Sequence, residues 1–120
     1  MILTAKDYLI KARELLSEEQ KWVQGVLARD ENNISVCTSS DTACKFCLLG
    51  SLFRVSHENV NNITLDSWPE DAQVAAEDLL DLIVRERGLI DINSMVAFND
   101  APGRTHAEIL ALLDEAIERA

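Results

Sequence analysis

Cations, long apolar runs and a leader-like start are all scarce or missing in this sequence, and each absence excludes a class of protein. Eleven Lys and Arg stand against twenty-one Asp and Glu, a formal net charge of −10, which works against sequence-independent attachment to a phosphate backbone. Direct nucleic-acid binding is therefore not expected. The longest uncharged apolar stretch, residues 46–53, is far shorter than the roughly twenty residues a membrane-spanning helix requires. No transmembrane helix and no membrane partner are expected. The opening Met1-Ile2-Leu3-Thr4-Ala5-Lys6-Asp7 lacks a basic segment followed by an apolar stretch and a small-residue cleavage site. A cytoplasmic location is the expectation. What the chain does have is 120 residues, 48% of them apolar and 27% charged, the proportions of one globular domain with a single core.

Helical periodicity dominates the chain. Thr4 with Asp7 reads as a capping box, so a helix should begin at Ala5 and bury Leu9, Ala12, Leu15 and Leu16. Ser17 and Gln20 repeat the pattern and predict a break before Trp22. Residues 22–27, the turn-forming Arg29-Asp30-Glu31-Asn32-Asn33 and the alternating Ile34-Ser35-Val36 suggest a small β-hairpin. The alternative is a first helix running on through residue 28, against which Gly25 counts about 1 kcal/mol relative to Ala. Thr38-Ser39-Ser40-Asp41 supplies N-cap residues before an apolar block, residues 43–55, expected to be the most buried helix. Gly50 within it suggests close approach by another backbone.

Residues 56–66 read as a loop, and Ser67-Trp68-Pro69-Glu70 as a helix start whose stripe is Ala72, Ala75, Ala76, Leu79, Leu80 and Ile83, stopped by Gly88. Met95-Val96-Ala97-Phe98 reads as a short buried turn or strand. Thr105 and Glu108 form a capping box for a last helix burying Ile109, Leu112, Leu113, Ala116 and Ile117. The expected fold is mainly α, one small domain of about four helices with a possible hairpin between the first two.

With those elements placed, Trp22-x-Gln24-Gly25, Phe46-Cys47-Leu48-Leu49-Gly50 and Phe98-Asn99-Asp100 leading into Arg104-Thr105 resemble the motifs of an uncharacterised family of small bacterial and phage-borne proteins of unknown function. The likeness covers most of the chain, with Gly50-Ser51 standing where members carry Gly-Ala. It implies no activity.

The residues themselves offer several chemistries. Cys37, Cys44, Cys47 and His57 are zinc-ligand types, but on one helix His57 would lie roughly 15 Å along the axis from Cys47. Closure would require that helix to be broken, or His106 to arrive from elsewhere, and no metal or other cofactor is expected. Cys44-Lys45-Phe46-Cys47 is a C-x-x-C at an expected helix start, where the dipole favours a thiolate. The competing reading makes Cys47 a small core residue. A cysteine nucleophile could also draw on His106 as base and Asn99 or Asp100 as orienter. Asn99-Asp100 with Arg104-Thr105 either braces its own loop or, with Trp22 and Gln24, converges on a small polar ligand or a partner's loop. The many carboxylates are solvated faces or the surface of an acidic inhibitor that imitates nucleic acid. The preferred expectation is a non-enzymatic accessory or regulatory protein binding through the Trp22, Gln24, Asn99, Asp100 and Arg104 side. A cysteine enzyme or redox protein using Cys47 is the alternative.

Overall fold

The computed structural model describes residues 3–60 and 71–120. Among them are five helices, α1 (Ala5–Leu15), α2 (Leu48–Val60), α3 (Asp71–Glu86), α4 (Met95–Asp100) and α5 (His106–Arg119), and one antiparallel pair of short strands, β1 (Ala28–Arg29) and β2 (Lys45–Phe46). The mainly helical expectation is met.

α1 begins where the sequence places it. Thr4 accepts from the Asp7 N–H and the Asp7 carboxylate accepts from the Thr4 N–H, so two otherwise orphaned donors of the first turn are satisfied. Its stripe of Tyr8, Leu9, Ala12 and Leu16 is fully buried and packs against α2, α3 and α5. Thr105 and Glu108 close the same reciprocal box on α5, which buries Ile109, Leu112, Leu113 and Ala116 against α1 and α3. Arg13 with Asp114, and Arg119 with Glu86, tie α5 to those two helices at the surface. α3 contributes Ala76, Leu80, Ile83 and Val84 to the core. It stops as expected, with Gly88 at φ +63° in the left-handed region that glycine enters without steric cost.

Five local expectations are corrected. The Ser17/Gln20 pattern makes no box: a 3-10 turn, Glu19–Lys21, has Glu18 at its N-cap with no side-chain cap bond. The turn at Asp30–Asn33 exists, with the Asp30 N–H donating to the Ile34 carbonyl at 2.9 Å and a bridge between Arg29 and Ser35. The ladder, however, joins Ala28 to Phe46 and Arg29 to Lys45, while Gly25 at φ +82° turns the chain within the segment expected to be the first strand. For the same reason residues 43–47 are not helical. Their backbone is committed to β1, with the Cys44 N–H donating to the Arg29 carbonyl, and α2 starts only at Leu48 and continues to Val60. Residues 56–60 are thus helix rather than loop; the rest of that expected loop, and the Ser67-Trp68-Pro69-Glu70 start, lie outside the described residues. Residues 95–98, read as a turn or strand, are the first part of α4, whose N-cap Ser94 accepts from the Ala97 N–H.

The backbone approach that Gly50 suggested is present. A Cβ built there would lie 2.0 Å from the Leu27 carbonyl oxygen, so α2 and the segment leading into β1 touch backbone to backbone.

Candidate functional site

The five residues singled out as a binding cluster come together where α4 ends beside the amino end of α2. α4 is held from its first turn, since Asp81 Oδ1 accepts from the Met95 N–H at 2.7 Å. This places Asn99, one turn on, in a buried position with 1% of its surface exposed. Its side chain makes four hydrogen bonds. Oδ1 accepts from Trp22 Nε1 at 2.7 Å and from the Leu48 N–H at 3.1 Å. Nδ2 donates to the Val23 carbonyl at 3.1 Å and to Asp100 Oδ1 at 2.9 Å. A carboxamide offers two donors and two acceptor sites, so all its capacity is used inside the chain.

Around this centre the neighbouring side chains act in concert. Asp100 Oδ1 also accepts from the Gly25 N–H at 2.9 Å. Gln24 Nε2 donates to the Asn99 and Ala101 carbonyls at 2.9 and 3.0 Å. Arg104 donates through Nε to the Phe98 carbonyl at 2.8 Å, lies 3.7 Å over the Phe98 ring and pairs with Glu108 at 3.0 Å. The result is a clasp joining residues 22–25, the first turn of α2 and the end of α4. Among the described residues, Gln24 Oε1 and Asp100 Oδ2 carry no hydrogen bond, and both side chains are exposed.

Cys47 sits beside the clasp as the residue before α2. Its Sγ accepts from the Gly50 N–H at 3.3 Å and its carbonyl from the Ser51 N–H at 2.9 Å, the geometry of an N-cap. Burial pushes the thiol above its ordinary pKa, outweighing the lowering by the Gly50 and Leu49 N–H groups. The low-pKa thiolate expected from the helix dipole is thereby corrected: desolvation dominates. Cys44, half-buried, precedes β2, so the C-x-x-C spans an extended segment instead of one helical turn.

His106 is elsewhere. Its Nε2 is 2.6 Å from the Leu16 carbonyl oxygen and its ring centre 6.3 Å from that of Trp22; no hydrogen bond joins it to Cys47. Asp100 does lie near Cys47, and Asn99 bonds the residue after it. Cys37 is exposed and His57 stands in the last turn of α2, and among the described residues no group of three metal-binding side chains forms.

One concave surface escaped the sequence reading. A cleft of about 300 Å³ lies between the 30–32 turn and residues 41–44, lined by Asp30, Glu31, Asp41, Thr42 and Cys44 among others. Its walls are fixed from outside: Arg54 donates to the Thr38 and Ser40 carbonyls, and Lys45 Nζ donates to Asn33 Oδ1 at 2.6 Å. The only signal in the sequence was a pair of acidic turns, which reads as ordinary loop chemistry.

Comparison with known proteins places residues 2–119 within a family of unknown function, DUF6197, and the chain belongs to that family. No curated protein and no solved structure matches it.

Proposed function

We propose that this member of the DUF6197 family, of the kind carried by bacteria and phages, is a non-enzymatic, cytoplasmic accessory or regulatory protein. It binds a protein partner or a small polar ligand across the outer rim of the Trp22–Asn99 clasp. The observation carrying this reading is the pair of free acceptors on that rim. Gln24, through Nε2, and Asp100, through Oδ1, are each fixed by two hydrogen bonds into the clasp, which leaves Gln24 Oε1 and Asp100 Oδ2 as acceptors on exposed side chains. Acceptors held in place lose little freedom when a donor docks, the condition for specific recognition at a surface. The matching ligand carries N–H donors, as a Lys or Arg side chain or an exposed amide does.

The competing cysteine chemistry finds less support. A buried thiol with a raised pKa is a poor nucleophile near neutral pH. Native mass spectrometry on protein purified without reductant or chelator, followed by capture experiments, separates the two. The binding reading expects an unmodified, metal-free chain, and a partner retained by the native protein and lost by Asp100→Asn, which keeps the Oδ1 bonds but removes the charge. Zinc in the spectrum, or rapid alkylation of Cys47 at neutral pH in the folded protein, would overturn it.

A second reading, an acidic inhibitor imitating nucleic acid, draws support from the cleft, where Asp30, Glu31 and Asp41 have no ion-pair partner among the described residues. It requires salt-sensitive binding to a Lys-rich peptide that is abolished when all three become Asn. Absence of binding even at low salt would dispose of it.

A further inference from the structure

The outward face of α3 sets exposed apolar side chains between unpaired charges. Residues 71, 74, 75, 78, 82 and 85 fall within one narrow stripe at 100° per residue, opposite the buried Ala76, Leu80 and Ile83. All six are exposed. Val74 and Leu82 show 38% and 41% of their surface to solvent, and beyond the helix Leu89 and Ile90 show 39% and 88%. Asp71, Asp78 and Arg85 on this stripe have no ion-pair partner among the described residues.

The order of these residues is self-complementary. If two copies of α3 lie antiparallel about a two-fold axis passing between residues 81 and 82, Asp78 of each faces Arg85 of the other. Val74 and Ala75 then lie toward the turn that follows the partner's α3, and the two Leu82 side chains lie close to the axis. An isologous contact demands this property, that a patch match itself after a half-turn. A parallel pairing sets Asp71 and Asp78 against their own copies, like charge on like, and a purely basic partner segment would meet Arg85. Ala75 and Gly88 are small, and nothing lies within 4 Å of a Cβ built on Gly88, so the backbones can approach at the two ends of the contact.

We infer that the exposed face of α3 is a homodimer surface, its occupant the α3 of a second copy in antiparallel register, centred on Leu82 with two Asp78–Arg85 pairs between copies. This surface uses none of the clasp residues and stands apart from the proposed partner site. The net charge of −10 per copy opposes association at long range, but such repulsion is screened beyond ~8 Å at physiological salt, whereas the Asp78–Arg85 contacts are at hydrogen-bonding range.

The test is sedimentation velocity over ~1–100 μM at physiological salt, the concentration range of weak, small interfaces. The native chain should pass from monomer to dimer within that range, and Leu82→Glu should remain monomeric. Asp78→Arg and Arg85→Asp should each lower the dimer population at least tenfold, because each sets like charges together twice. The combined Asp78→Arg/Arg85→Asp variant, with the same net charge as the native chain, should restore it. All the substitutions fall on solvent-exposed side chains, and circular dichroism checks that the helices are intact. A native chain that stays monomeric throughout overturns the inference, leaving the face to a different partner. So does a dimer indifferent to these substitutions, or a combined variant that fails to recover.

Discussion

Trp22 and Asn99, 77 positions apart in the chain, are joined by a hydrogen bond of 2.7 Å from the indole N–H to the carboxamide oxygen, and the same oxygen also receives the first N–H of α2. Removing the carboxamide therefore strands donors from two other segments. Asn99→Ala should cost about 2–4 kcal/mol of stability, several times the loss from Asp100→Ala, put at about 1 kcal/mol because that side chain is exposed and water can replace it. Urea titrations followed by tryptophan fluorescence measure both. Equal losses would mean that Asn99 is not the centre of the clasp.

Gly50 and Gly88 should respond oppositely to what helix propensity alone suggests. Within α2, Ala is favoured over Gly by about 1 kcal/mol, yet the added methyl at Gly50 would meet the Leu27 carbonyl at 2.0 Å, and neither backbone can yield without breaking the β1–β2 contact. Gly50→Ala should lose about 3 kcal/mol or more. Gly88→Ala, with open space but a positive φ, should lose about 1 kcal/mol. Thermal melts of the two variants give the comparison.

The three thiols should separate by reactivity. Cys37, exposed, should be modified by a disulfide reagent first, and Cys47, buried and with its pKa raised by burial, only as fast as the fold opens. The linkage has a definite sign. Because the folded state favours the protonated thiol, its contribution is complete below the unfolded thiol pKa of about 8.5 and is lost as pH rises above it. Stability should decline on the alkaline side, less steeply in Cys47→Ser, which keeps a capping oxygen. Mass-resolved labelling and melts from pH 7 to about 10 check this.

Gln73 is 1% exposed and its Oε1 has no hydrogen-bond partner, while its Nε2 donates to Glu77 at 2.9 Å. Desolvation raises the Glu77 pKa, with Asp81 and Asp78 adding to the effect against the Gln73 bond. The ionised form is thus disfavoured in the fold, so stability is lost as pH rises through the Glu77 range. Glu77→Gln removes that charge and supplies an N–H for the empty Oε1. It should stabilise the protein at pH 7 by up to about 0.5 kcal/mol, a small figure because the group is partly solvated, and the advantage should vanish below about pH 4. A melting temperature that falls at pH 7 would contradict this.

Local rules were legible from the sequence wherever the relevant partner lies within a few residues. Thr4 with Asp7 and Thr105 with Glu108 needed only their own helix turn, and Gly88 only its own φ. The positions of Trp22, Gln24, Asn99, Asp100 and Arg104 were legible as motifs, but not the four bonds that fill the Asn99 carboxamide. The misreadings are non-local. Residues 43–47 look helical by composition, and are extended because β1, some seventeen positions earlier, pairs with them. Within α3, Ala75, expected in the buried stripe, is exposed while Gln73 is buried, an outcome set by which neighbours the helix packs against. The acidic cleft arises from two turns brought together across the sheet, a proximity that spacing in the chain does not encode.

The clasp also bears on the order in which the protein can be completed. A ribosome delivers Trp22 first, then Leu48, and Asn99 51 positions after that, so the indole and the opening of α2 emerge with a shared acceptor still unmade. Closure across so long a separation is entropically slow, and a nascent chain halted short of residue 99 keeps those donors unpaired. The asparagine thus acts as the stitch that joins three stretches of chain made at different times.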